Sequence, residues 1–173
     1  SRSPEEVIGE VPPNFDILTV RMVAEHAVMA GCLPEFMPII LGGMETILYD
    51  QLNMNGVQTT IHSVAPLMIV NGPYAKKVGL QGGRGCFGPG FRANATIGRA
   101  VRLILFNVGG GIPAASSSSF SQPCRYTFCI AENEDESPWE SLAETRGFNR
   151  DENVVTVVQC ENPDVVHDDA NFV

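Results

Sequence analysis

Residues 67–108 read LMIVNGPYAKKVGLQGGRGCFGPGFRANATIGRAVRLILFNV, and the order of patterns within them decides the fold class. Leu67 to Val70 is a short apolar run bounded by Pro66 and by Asn71-Gly72-Pro73, which reads as a buried strand. A short helical stretch near Ala75 follows. Residues 79–90 are half glycine. Beyond them an apolar helix begins near Arg92. Ile97, Ala100, Val101, Ile104, Leu105 and Val108 recur at helical spacing, with Arg99 and Arg102 on the other side. Strands and helices intermixed in this way predict an α/β fold, with a mixed sheet flanked by helices in a single domain over residues 1–173.

Working outward toward the start, Ser1 to Pro13 reads as an extended acidic lead-in closed by two prolines. A first helix is expected from about Leu18 to Ala30, with Val20, Val23, Ala24, Ala27 and Val28 on one stripe. Gly31 ends it, and Pro34 opens a second helix. Met37, Ile40, Leu41, Met44, Ile47 and Leu48 share a face there, and Gly42 and Gly43 allow close packing. Asn53 to Gly56 reads as a turn and Val57 to His62 as a strand.

In the other direction, Gly109 to Pro123 has no periodicity and reads as a mobile surface loop or a linker within the domain. Tyr126, Phe128 and Ile130 alternate with smaller residues as a strand that ends in Glu132, Glu134, Asp135 and Glu136. Pro138 opens a short helix containing Trp139, and Val154 to Gln159 is a last strand. The residues after it are too few to cover a sheet face, so a split subunit, a processed chain or a partner chain is expected.

Composition narrows the class. A formal net charge of −9, with the eleven Lys and Arg scattered, disfavours a nucleic-acid partner. No apolar run approaches the roughly 20 residues that span a bilayer, and the first residues show no signal peptide. A cytoplasmic protein is the expectation. The five cysteines, at 32, 86, 124, 129 and 160, form neither a CxxC pair nor a disulfide framework.

The glycine stretch is where chemistry is expected. Glycines let a backbone approach a ligand, and a helix start just beyond offers unpaired N–H groups. Together with Gly85 and Gly88, Arg92 and Asn94 are candidates for holding a carboxylate or phosphate. Cys86 is the soft nucleophile at the lip of this pocket, with Arg84 and Arg92 near enough in sequence to favour thiolate. The competing reading is a tight structural loop with a buried cysteine. Cys32 precedes a helix start, where the dipole lowers a thiol pKa, or it fills the corner between two helices. His62 ends a predicted strand and reads as a base, a ligand or a core histidine. His26 and His167 read as surface residues. Glu132 is a candidate acid or base, unless the acidic run is a solvated loop. No cofactor motif stands out, for the glycine stretch is neither a Walker loop nor a GxGxxG fingerprint. If Cys32, His62 and Cys86 converge, they suit zinc or copper(I).

Five segments form a familiar set: HAVMAGCLPEFMPII, GVQTTIH, IVNGP, GCFGPGFRANATIGRA and YTFCIAENEDESPWE. Over roughly residues 5 to 160 the chain resembles a poorly characterised bacterial family found near, or fused with, UGSC-type (seleno)protein subunits. That resemblance implies thiol or selenol chemistry on a small molecule, a partner subunit, and a second glycine-rich half beyond this chain. Two functions are expected. One is a subunit or half of a cysteine-dependent enzyme acting on a small anionic molecule, with Cys86 as nucleophile or ligand and His62 as base. The other is a binding or scaffolding subunit, alone as a homo-oligomer or docked on a catalytic partner.

Overall fold

A computed structural model describes residues 2–117 and 122–164. Its centre is the strand β3, Ala65–Asn71, the middle member of a three-stranded sheet in the order β4-β3-β5. β4 is Cys129–Ala131 and lies parallel to β3, with Met68 opposite Cys129 and Val70 opposite Ala131. β5 is Val154–Cys160 and lies antiparallel, pairing Ala65 with Cys160 through to Asn71 with Val154. The chain is therefore an α/β domain built on a mixed sheet.

The pleat of β3 sorts its side chains onto two faces. Met68 and Val70, with Cys129, Ala131, Val155 and Val157 of the flanking strands, join the main core. Leu67 and Ile69 lie on the other face, in a smaller cluster with Phe128, Ile130, Cys124 and Cys160. The main core is completed by α1, Val20–Ala30; α2, Met37–Ile47; and α5, Arg92–Asn107. The stripe predicted for α5 is the buried one, with Ile97, Ala100, Val101, Ile104, Leu105 and Val108 all at 4% exposure or less. α1 ends at Gly31, at φ 86, where a left-handed residue frees the helix carbonyls for capping. Among the described residues no helix is long and apolar enough to cross a membrane.

Several expectations need correction. The lead-in is a hairpin: β1, Val7–Val11, pairs antiparallel with β2, Asp16–Thr19. α1 consequently starts two residues after Leu18, capped by the Thr19 hydroxyl. His26 is buried on the inner face of α1, and Val28 is exposed. The segment taken for a strand at 57–62 is instead covered by α3, Met54–Thr59, and a loop. Asn53 caps that helix by accepting from the Gly56 N–H at 3.2 Å. Met54, Val57 and Gln58 then turn inward at helical spacing, while Ile61 is left exposed. The β-branched residues there mimic strand alternation, but the cap and the inward face prevail.

β4 keeps only the end of its predicted run, because Pro123–Arg125 form a 3-10 turn and Tyr126 is exposed. The short helix α6 is Leu142–Thr145, opened by a Ser141–Glu144 capping box, and Trp139 lies outside it. α4, Pro73–Lys77, is the short helix expected near Ala75. In the described part of 109–123, residues 112–115 are exposed, as a surface loop requires, and its two ends are anchored. Gly109 to Gly111 are buried, and the Gly111 carbonyl accepts from Arg102. Ser117 is also buried and accepts from Arg125. His167 and residues 118–121 fall outside the described residues.

Candidate functional site

The glycine stretch folds against the carboxyl end of β4. The Ala131 N–H donates to the Gln81 carbonyl at 3.1 Å. A Cβ on Gly82 would stand 2.3 Å from the Ala131 oxygen, so only glycine allows the approach. Asn94, buried in the first turn of α5, pins the loop from the other side. Its Oδ1 accepts from the Gln81 N–H at 3.0 Å, and its Nδ2 donates to the carbonyls of Gln81 and Cys86. The Cys86 N–H donates to Gly83, and the Gly88 N–H to Gly85 at 2.7 Å. Three of the loop's N–H donors, those of Gln81, Cys86 and Gly88, are therefore spent on the loop itself and on Asn94. Asn94, Gly85 and Gly88 shape it.

Of the two arginines expected to activate Cys86, Arg84 is exposed in the same loop, and Arg92 is engaged elsewhere. Arg92 donates through Nε and a terminal nitrogen to the Gly31 carbonyl, at 3.0 and 2.9 Å. That places its charge at the α1–α2 elbow beside Cys32. Burial nevertheless pushes the Cys32 thiol up, and the Thr96 carbonyl that accepts its hydrogen and the Arg92 charge only offset this in part. The dipole argument for an acidic Cys32 fails, since burial outweighs it.

His62 is exposed and pairs with Glu161 at 2.6 Å, just past the end of β5 that meets Ala65. The glycine loop meets the other end of β3, opposite Val70. Five residue steps separate them along β3, about 16 Å. His62 is thus not placed as a base for Cys86. Among the described residues no three metal-ligating His, Cys, Asp or Glu side chains come together. Cys32, His62 and Cys86 do not form the soft-metal site.

Glu132 does sit at the end of β4, but its carboxylate is occupied. It accepts from the Leu142 N–H at 2.9 Å and from Asn71 Nδ2 at 2.6 Å, while Glu134 takes the same amide at 2.9 Å. The pair clamps α6 and the two parallel strands together.

The arrangement with the clearest ligand chemistry lies on the flank of α5 that carries its arginines. Arg99, Arg102, Arg125 and Gln122 line a cavity of about 290 Å³, with Leu103, Phe106, Pro113 and Tyr126 as its apolar walls. Arg125 is 7% exposed and donates to the carbonyls of Val64 and Val57 and to the Ser117 hydroxyl. Arg102 donates to Gln58 Oε1 at 3.1 Å and to the Gly111 carbonyl at 3.0 Å. Arg99 is exposed. Among the described residues none of the three has a carboxylate within ion-pair distance. Burial and the neighbouring charges of Arg125 and Arg99 push Arg102 down to about 10, and burial lowers Arg125 as well. Gln122, 4% exposed, gives its Nε2 to the Cys160 carbonyl and keeps a buried, unpartnered Oε1.

The sequence signal for this site is faint: two arginines three apart on the polar side of a helix, and a third 23 residues later beside a proline turn. No family model, curated protein or solved structure matches the chain.

Proposed function

We propose that the protein binds a small organic anion through Arg99, Arg102 and Arg125, in the cavity that α5 forms with Pro113, Gln122 and Tyr126. One observation carries this reading. Three guanidiniums gather without a carboxylate partner among the described residues, in a chain whose formal net charge is −9. Partly burying like charges together costs free energy, and an anion among them recovers it. Arg102 and Arg125 are held by carbonyls, a hydroxyl and an amide, so they meet the ligand already oriented.

The small anionic molecule expected from the sequence is kept, and its place moves from the glycine loop to the arginine flank of α5. The binding-subunit alternative gains support over catalysis at Cys86, because Arg92 is engaged by the Gly31 carbonyl and His62 by Glu161. A partner subunit, as the family resemblance implies, would supply the chemistry.

Calorimetric titration with inorganic phosphate and benzoate tests the proposal. Binding is expected, and Arg99→Ala and Arg102→Gln should each weaken it about 10- to 100-fold, the worth of one charge-assisted hydrogen bond. Arg99→Ala is the cleaner variant, because that exposed side chain supports no other contact among the described residues. No binding, or equal binding by the wild type and both variants, would overturn the proposal.

A further inference from the structure

Three features of the same cavity narrow the ligand, and this inference rests on the anion-binding reading above. The first is the charge it must balance. Three guanidiniums border one small space, so a monoanion leaves two positive charges uncompensated while a dianion leaves one. The pinned arginines retain donors for this: Arg102 keeps its Nε–H, and Arg125 keeps one N–H on each terminal nitrogen. Arg99, exposed at the rim, keeps its whole fork.

The second feature is the wall. Leu103, Phe106, Pro113 and Tyr126 are apolar or aromatic, and they have no use for a bare inorganic ion. They suit a flat apolar body packed beside the head group. The third is size. A volume of about 290 Å³ sits at the lower end of ligand pockets. It has room for one ring and its head group.

We infer that the cavity takes a dianionic head group, phosphate monoester or dicarboxylate, carried on a single ring-sized apolar body.

The test compares phenyl phosphate, phthalate, benzoate and inorganic phosphate on the intact chain at a pH near 7.5, where phenyl phosphate, a monoester, carries close to two charges (second ionisation about 6) and inorganic phosphate somewhat less. Phenyl phosphate is expected to bind at least about tenfold tighter than inorganic phosphate, because six ring carbons add that much even at low ligand efficiency. Phenyl phosphate and phthalate should both exceed benzoate. Tyr126→Ala, at an exposed position, should weaken phenyl phosphate several-fold and leave inorganic phosphate unchanged.

If inorganic phosphate matches phenyl phosphate while Arg99→Ala still weakens both, the anion site stands and the apolar body is refuted. If benzoate matches phthalate and phenyl phosphate, the dianionic head is refuted. If nothing binds, or Arg99→Ala has no effect on any probe, both readings fall.

Discussion

Five thiols that look alike in the sequence have different surroundings in the fold. Cys129 is buried at 3% exposure, and burial pushes its thiol well above the ordinary range. Cys32 is raised by burial, as are Cys160 and Cys124, the last with a further push from neighbouring Cys160. Alkylation proceeds through the thiolate, so a raised pKa lowers the rate at neutral pH and moves the rise of the rate to higher pH. Mass-spectrometric mapping of iodoacetamide labelling should find Cys129 modified only after unfolding. Cys32 and Cys124 should react more slowly than a free thiol, with rates still climbing above pH 9. Fast labelling of Cys32 at neutral pH would contradict the burial seen around it. A helix start close by in sequence promised an activated thiol at Cys32. That promise failed because desolvation depends on the whole corner between α1, α2 and α5, which no local spacing encodes.

Between elements, two helical glycines make close approaches that differ in what they face. A Cβ on Gly43 of α2 would lie 2.3 Å from the end of the Met68 side chain, which can swing aside. A Cβ on Gly98 of α5 would lie 2.5 Å from the backbone nitrogen of Phe128 and 2.4 Å from the Thr127 hydroxyl. Backbone has no other rotamer to adopt. Gly43→Ala is therefore expected to cost about 1–3 kcal/mol, the usual range for overpacking, and Gly98→Ala more than that. Urea unfolding of the two variants gives the comparison, and an equal or smaller loss in Gly98→Ala would mean that α5 can slide from the 127–128 segment. The sequence pattern already marks Gly43 as a packing glycine, because it falls within the apolar helix α2. Gly98 lies in an equally clear helix, but its neighbour is a segment 29 residues away, so nothing local marks it.

For the molecule as a whole, the sheet divides a core face from a lightly covered one, and two valines test the division. Val70 is 2% exposed in the main core, and Val158 is 38% exposed on the other face. Val→Thr preserves shape and β-branching at both. Val70→Thr buries a hydroxyl and should cost about 1–3 kcal/mol, whereas Val158→Thr should stay within about 0.5 kcal/mol. Equal losses in thermal unfolding would mean that something covers the outer face in solution. The sequence by itself determined the α/β class, the strands around Leu67 and Val154, and the helices that begin near Arg92 and end at Gly31. Apolar periodicity and a glycine stop are local signals, and burial of those same residues follows from them. Tertiary structure alone decided the candidate site. It spent the N–H groups of Gln81, Cys86 and Gly88 on Asn94 and the loop's own carbonyls, sent Arg92 to Gly31, and set His62 beside Glu161 near the start of β3. It also gathered Arg99, Arg102 and Arg125 without a counter-charge among the described residues. Charge compensation is a property of neighbours in space, and these arginines become neighbours only when the 122–126 turn packs beside α5.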